Sequence, residues 1–249
     1  MNNCTATFGR HVAFQNYARG CYIGNSTFQG MDLNYHNQFS GDNMIENCTF
    51  NDDTQLVSKD PADGPNRDIY SWIATVIPTQ EDDPSALSVG MDNRNTIYAC
   101  DFDGNEFGGG FRLGGLEEDL TMAYSRMVIN GEYWSNNSWH DNEAREPAFL
   151  YGTNSNRVKI LRNVIQIIDG QPDTYAVIKD TDQYLPNDST DVQFLDNDWY
   201  NFPATHRFKD TAGITDTNNV WADSTPRVAA PGKPTTSLRD YQLTNHPLS

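Results

Sequence analysis

Asn47-Cys48-Thr49-Phe50 is the stretch whose reading decides the fold. Asn25-Ser26-Thr27-Phe28 is a near copy, Ala99-Cys100-Asp101-Phe102 a third form and Asn3-Cys4-Thr5-Ala6-Thr7-Phe8 a looser one. Phe8 and Phe28 are 20 residues apart, and Phe28 and Phe50 are 22 apart. A period in the twenties built on short alternating strands is the mark of a solenoid in which each repeat is one coil. Residues two apart in a strand share a face. Cys48 and Phe50 are therefore predicted to fill the coil interior, Thr49 to face out, and Asn47 to turn the corner.

Working outward, residues 1–53 read as two to three coils. Their strand signals are His11–Phe14, Cys21–Phe28, Asp32–Tyr35 and Met44–Phe50, with Gly and Asn turns between them. Residues 54–92 break the period. Phe50 and Phe102 are 52 residues apart, so this segment reads as an insertion between coils, with one candidate strand at Ile69–Pro78. Coils resume at Thr96–Phe102 and run on through Gly110–Leu113, Met122–Val128, Glu132–Trp134, Phe149–Tyr151, Arg157–Ile168, Ala176–Lys179 and Val192–Trp199. Leu116–Met127 is the one mild helix candidate. The domain reading is a solenoid over 1–220 followed by an extended tail over 221–249, which carries Pro226, Pro231, Pro234 and Pro247.

The chain of 249 residues carries 26 Asp, 8 Glu, 5 Lys and 12 Arg, a net charge of -17. That field repels phosphates and anionic lipid, so nucleic acid and membrane surfaces are not expected partners. No stretch of 18 apolar residues is present, so no membrane-spanning helix is expected. The start lacks the basic and apolar regions of a signal peptide. Either no cleaved signal is used or it has been removed. The first repeat begins almost at Met1, so the chain is expected to belong to a longer polypeptide or to meet a partner there. Cys4, Cys21, Cys48 and Cys100 form no CxxC pair, which gives a zinc site little support. Cys48 and Cys100 occupy one phase of the repeat and read as stacked filling.

Strand-rich coils, Asn-containing turns and apolar stacks over roughly residues 1–200 resemble the right-handed parallel β-helix of the pectin-lyase-like superfamily. The resemblance implies an all-β fold. It also implies an activity drawn from polysaccharide lyases, glycoside hydrolases, epimerases or the tailspikes of bacterial viruses, which are usually trimers. The expected function is polysaccharide binding, with or without cleavage, in a homo-oligomer at an extracellular or virion-associated location. A secreted bacterial hydrolase or lyase and a non-catalytic adhesive solenoid are the alternatives.

In stacked parallel strands, outward residues of successive coils are about 4.8 Å apart. Aligning the repeats puts Thr7, Thr27, Thr49, Asp101 with Asp103, Asn130 with Glu132, Arg157 with Lys159, and Gln193 along one polar face suited to a glycan. Asp101 and Asp103, two apart on one strand, fall about 6.5–7 Å apart at the backbone. Inverting glycosidases separate their carboxyl groups by ~6.5–9.5 Å. Asp101, Asp103 and Glu132 are thus the candidate acid and base. Lys159 and Arg157, in a stretch similar to the Arg-Ile-Lys segment of polygalacturonases, are the candidate base and cation for a lyase. The Asn-Thr-Asp, Gly-Asp-Asp and His-Gly motifs of that family are not present in order. Thr49, Asn130, Tyr133, Trp134 and Gln193 are the candidate sugar contacts. The late aromatics, including Trp139, Trp199, Tyr200 and Phe202, also suit a coil interior. No cofactor is expected. A calcium site stays open at Asp52-Asp53, Glu81-Asp82-Asp83 or Glu117-Glu118-Asp119, none of which has the spacing of a known loop.

Overall fold

The computed structural model describes residues 1–7, 11–15, 18–29, 31–36, 41–51, 74–77, 92–104, 111–113, 117–130, 149–151, 156–168, 176–179, 190–208 and 213–245. Within them the chain is all-β apart from one helix, Leu238–Asn245, and a short 3-10 turn at Ala204–His206. The strands form three sheets, and all strand pairs are parallel. The first sheet stacks Thr5–Thr7, Thr27–Gln29, Thr49–Asn51, Asp101–Gly104, Arg126–Asn130, Val164–Ile168, Asp198–Tyr200 and Val220–Ala222. The second stacks Tyr22–Gly24, Met44–Glu46, Thr96–Tyr98, Thr121–Ala123, Asn156–Leu161, Thr190–Leu195 and Ile214–Thr217. The third stacks His11–Gln15, Asp32–His36, Ala74–Ile77, Phe111–Leu113, Phe149–Tyr151 and Val177–Lys179. The chain visits the sheets in the order first, third, second and back to the first, so each circuit is one coil of a parallel β-solenoid.

The repeated phrase is the corner between the second and first sheets. Asn3, Asn25, Asn47, Ala99, Tyr124, Arg162, Asp196 and Asn218 all have φ between 50° and 59° there. This left-handed conformation is tolerated best by Asn and Asp, whose short polar side chains bond locally. It turns the chain without breaking the ladder between coils. The Asn47 amide still donates to the Tyr98 carbonyl at 2.9 Å, and the Arg162 amide to that of Leu195 at 2.9 Å. A second left-handed corner leads into the second sheet at Gly20, Asp42, Arg94, Asp119, Arg157, Asp191 and Gly213.

The position after each first corner faces inward. Cys48 and Cys100 stack there as buried free thiols, and burial pushes the Cys100 thiol well up. Farther along, Asn163 and Asn197 take the same place. Each uses its side-chain oxygen to accept the backbone N–H of the preceding coil, as Ser125 N–H to Asn163 at 2.8 Å and Asn163 N–H to Asn197 at 2.9 Å. Next inward come Phe28, Phe50 and Phe102, with ring centroids 5.0 and 5.1 Å apart. That row continues through Met127, Ile165 and Trp199 to Trp221, whose indole lies 5.1 Å from that of Trp199 and nearly parallel to it. Ile23, Ile45, Ile97, Met122, Ile160 and Phe194 fill the coil from the second sheet. The late aromatics Trp199 and Phe202 are core residues.

Two local expectations change. The mild helix candidate Leu116–Met127 is three strand segments, Glu117–Glu118, Thr121–Ala123 and the start of Arg126–Asn130, because the left-handed corners at Asp119 and Tyr124 interrupt any helix. Within 54–92, Ala74–Ile77 is a third-sheet strand paired with coils on both sides. The rest of the expected insertion lies outside the described residues, apart from Asp92.

Candidate functional site

The solenoid presents two different outer faces from its first and second sheets. On the first sheet one outward row runs Thr5, Thr27, Thr49, Asp101, Arg126, Val164, Asp198 and Val220. The other begins at Thr7, Gln29 and Asn51 and passes through Asp103, Val128 and Gln166 to Tyr200. Thr49 and Asp101 are thus direct neighbours, and Asp101 and Asp103 share a side as their spacing requires. The partner of Asp101 on the next coil is Arg126, not Asn130, which sits at the far end of that strand opposite Ile168.

Arg126 grips the carboxylate pair. Its Nε and one terminal nitrogen each donate to Asp101 at 2.7 Å, and the latter nitrogen lies 3.6 Å from Asp103. Burial acts to lower the Arg126 guanidinium, but the hydrogen bond to Asp101 and the charges of Asp101 and Asp103 outweigh it and raise it. Arg227, from the C-terminal segment, pairs with the Oδ2 of Asp103. A bidentate arginine clamp of this kind fixes the geometry of the carboxyl groups that it holds.

The outward side chains Val128 and Gln166 are fully buried, because the C-terminal segment crosses over them. After Ala222 the chain reverses and runs back toward the first coils. The Asn201 amide brackets Ser224, accepting its N–H at 2.9 Å and donating to its carbonyl at 3.0 Å. The Gln166 amide does the same for Pro226 C=O and Val228 N–H, at 2.9 and 2.8 Å. Farther on, Lys233 reaches Asn47. The helix Leu238–Asn245 then docks on Glu46, which is only 4% exposed. Its carboxylate accepts the Leu238 N–H at 2.6 Å and the Ser237 hydroxyl at 2.9 Å, satisfying donors at the helix start. Tyr22 donates to the same carboxylate at 3.2 Å. Burial, with the Glu46 charge and hydrogen bond, leaves the Tyr22 phenol pushed up to about 12. The Arg239 guanidinium lies 4.9 Å from the Tyr22 ring centroid, a cation–π distance.

Lys159 and Gln193 belong to the second sheet, on a different face from Thr49 and Asp101. They are direct register partners, flanked by Thr121 and Thr96 on one side and Thr215 on the other. Lys159 is exposed, and Thr96, Thr121 and Gln193 are half-exposed. Tyr98, Tyr124 and Arg162 border this row near the corner. The two tyrosine rings are 5.5 Å apart, and the Arg162 guanidinium stands 5.8 Å from the Tyr124 ring centroid and donates to its hydroxyl at 2.7 Å. Tyr124 and Arg162 were legible as outward corner residues only once the repeat could be aligned past residue 110.

Arg157 does not share the Lys159 row. It sits at the left-handed corner and pairs with Asp119 at 2.7 Å. It belongs to an alternating edge ladder in which Arg19 and Arg94 flank Asp42 at 3.2 and 2.6 Å. The hydrogen bond from Arg94 holds the Asp42 carboxyl below the usual carboxylate range, and that from Arg157 does the same for Asp119. Glu132, Tyr133 and Trp134 lie outside the described residues, as does the side chain of Asn130. Among the described residues no group of three or more His, Cys, Asp or Glu is placed to hold a metal ion, and no helix is long and apolar enough to cross a membrane.

No protein-family model and no curated protein matches the chain. Two solved structures align with most of it. A candidate glycosyl hydrolase from Parabacteroides merdae ATCC 43184 is 11% identical, with a TM-score of 0.28, over 83% of this chain and 84% of that one. QnrB1, a plasmid-mediated fluoroquinolone resistance protein, is 10% identical, with a TM-score of 0.27, over 89% of this chain and 88% of that one. Likeness this distant carries no argument about activity, so the chemistry has to be read from the two outer faces of the solenoid.

Proposed function

We propose that this chain is a polysaccharide-binding β-solenoid whose glycan face is the outer side of the second sheet. The observation that carries the reading is the uncovered row Thr96, Thr121, Lys159, Gln193 and Thr215, which crosses five successive coils. Neighbouring members are about 4.8 Å apart, so the row offers evenly spaced hydroxyl, amide and ammonium groups to an extended chain of hydroxyls. Tyr124 supplies a ring face beside it. The partner is an uncharged glycan, because a net charge of -17 repels a polyuronate.

Binding rather than cleavage is favoured by the state of the carboxylate pair. Asp101 spends both oxygens on Arg126, and Asp103 pairs with Arg227 beneath the C-terminal segment, so neither carboxyl is open to the bridging oxygen of a glycan. Hydrolysis by this pair, or lyase chemistry led by Lys159, is the finer form of the proposal, as is a trimeric, tailspike-like assembly. A polysaccharide panel tests binding and cleavage together, and the mass of the protein in solution tests the trimer, which a monomer mass would overturn. Retardation in affinity gels by a neutral polymer, weakened at least tenfold in Lys159→Ala/Gln193→Ala, supports the binding face. New reducing ends would add hydrolysis and unsaturated sugar products would add a lyase. Retardation by no glycan would sink the proposal.

A further inference from the structure

The first sheet's outer face is crossed by the segment that begins at Asp223 and passes the corner at Asn47 before its end docks on Glu46 of the second sheet, and the manner of covering is informative. The segment is held at separate polar points: the Asn201 and Gln166 amides, the Arg227–Asp103 pair, and the Lys233 and Glu46 contacts. Its own residues are exposed or half-exposed, and between Val228 and Lys233 no described hydrogen bond ties it down. Lifting it would return polar groups to water and uncover only Val128 and Val164 as apolar outward side chains. On this stretch Arg227 pairs with Asp103 Oδ2, and the Arg126 guanidinium donates to the Val228 carbonyl at 3.3 Å. The other oxygen, Asp103 Oδ1, is buried and has no hydrogen-bond partner. A buried acceptor left unmet beside a met one marks a place where the present occupant is an imperfect fit.

We propose that this face is a second carbohydrate site, for an extended polymer bearing ammonium groups, and that residues 223–239 are a strap occupying it as an intramolecular stand-in for that polymer. Arg227 takes the place of a ligand ammonium. An ammonium carries three donors on one small centre, so it can reach both oxygens of Asp103, whereas Arg227 as placed meets Oδ2 and leaves Oδ1 unmet. Thr49 and Thr27 continue the outward row beyond Asp101 with hydroxyls for the sugar ring. The charge of -17 adds long-range attraction for a cationic polymer. Glucosamine chains have this chemistry, and their N-acetylated counterparts lack the charge. The choice of a sugar polymer rests on the reading above, but the two sites lie on different sheets and are tested separately.

The experiment is calorimetric titration of the full chain with a glucosamine pentamer and with its N-acetylated equivalent at low ionic strength. Removing the competing guanidinium in Arg227→Ala should tighten binding of the glucosamine pentamer on the order of tenfold, the worth of one charge-assisted hydrogen bond. The N-acetylated pentamer should show no such gain. Asp103→Asn placed on top of Arg227→Ala should abolish the gain. Equal affinity of parent and Arg227→Ala overturns the strap as competitor, and equal gain for both pentamers overturns the charge selectivity. If Arg227→Ala does not fold, Arg227→Gln, which keeps the stem and a donor, is read the same way. The ratio between parent and Arg227→Ala for the glucosamine pentamer should be the same on a Lys159→Ala/Gln193→Ala background, whatever that background does to the affinities themselves, so failure of the second-sheet reading is told apart from failure of this one.

Discussion

Replacing Asn197 by alanine probes the device that joins one coil to the next. Its side-chain amide makes four hydrogen bonds. The oxygen accepts the Asn163 backbone N–H at 2.9 Å and the Asn163 side-chain nitrogen at 3.0 Å, and the nitrogen donates to the Ile160 carbonyl at 2.8 Å and to the Asn219 oxygen at 2.9 Å. Asn219 keeps a donor after truncation, because the Asn197 backbone N–H also reaches it. The Asn163 N–H and the Ile160 carbonyl lose these partners in a site closed to water, where Asn163 is 1% exposed and Ile160 0%. Each buried group left unsatisfied costs about 1–3 kcal/mol, so Asn197→Ala should lose about 2–6 kcal/mol, out of the 5–15 typical of a folded protein. Asn197→Asp should do no better, since it keeps the acceptors, loses both donors and buries a charge. The assay is urea unfolding followed by tryptophan fluorescence and circular dichroism. Coincident transitions establish that one free energy describes the change. A loss under about 1 kcal/mol at unchanged slope would refute the accounting, because it would mean that water replaces the ladder without cost.

Phe50, fully buried between Phe28 and Phe102, should cost about 3–5 kcal/mol when cut to alanine, read by the same unfolding curves. Gly24→Ala should loosen the strap, because a methyl there meets the Tyr22 hydroxyl and ring. Tyr22 would have to leave Glu46 and Arg239, and amide exchange in Leu238–Asn245 should speed up. Asp42 and Asp119, held below their usual range by Arg94 and Arg157, are acids with depressed folded pKa. Their contribution is present above the unfolded value of about 3.9 and is lost as pH falls through the folded one. Thermal midpoints should therefore drop below about pH 4, and Asp42→Asn/Asp119→Asn should flatten that fall. Tyr22 has the opposite sign. Its stabilisation is complete below the unfolded phenol value of about 10 and is lost as pH rises toward about 12, so Tyr22→Phe should lose less stability than the parent over that alkaline window.

The fold was legible wherever local chemistry decides conformation. A left-handed corner needs Asn or Asp or tolerates little else, so Asn25 and Asn47 announced the turn, and the alternation after them announced the inward Phe. Where the corner is occupied by Tyr124 or Arg162, tertiary hydrogen bonds hold a conformation that those residues do not prefer, and the local signal vanishes. For that reason the period alone puts Lys159 and Gln193 on the face of Thr49, whereas they belong to the second sheet. The helix Leu238–Asn245 left little trace for a related reason. It is fastened at its start by Glu46, almost two hundred residues earlier in the chain.

The candidate sites divide along the same line. Period and alternation settle which residues point out of a coil, because a strand has only two sides: Thr49, Asp101, Asp103, Lys159 and Gln193 all emerge from that rule. What each outward residue meets depends on the coil above it and on a segment that returns from the far end. Arg126 became the neighbour of Asp101 through coil stacking, and Arg227 came to Asp103 through a reversal after Ala222. Such contacts are long-range and carry no pattern along the chain, so the tail closes the first-sheet face and the earliest coils of the second sheet at Tyr22 and Glu46, and leaves the row from Thr96 to Thr215 open to solvent.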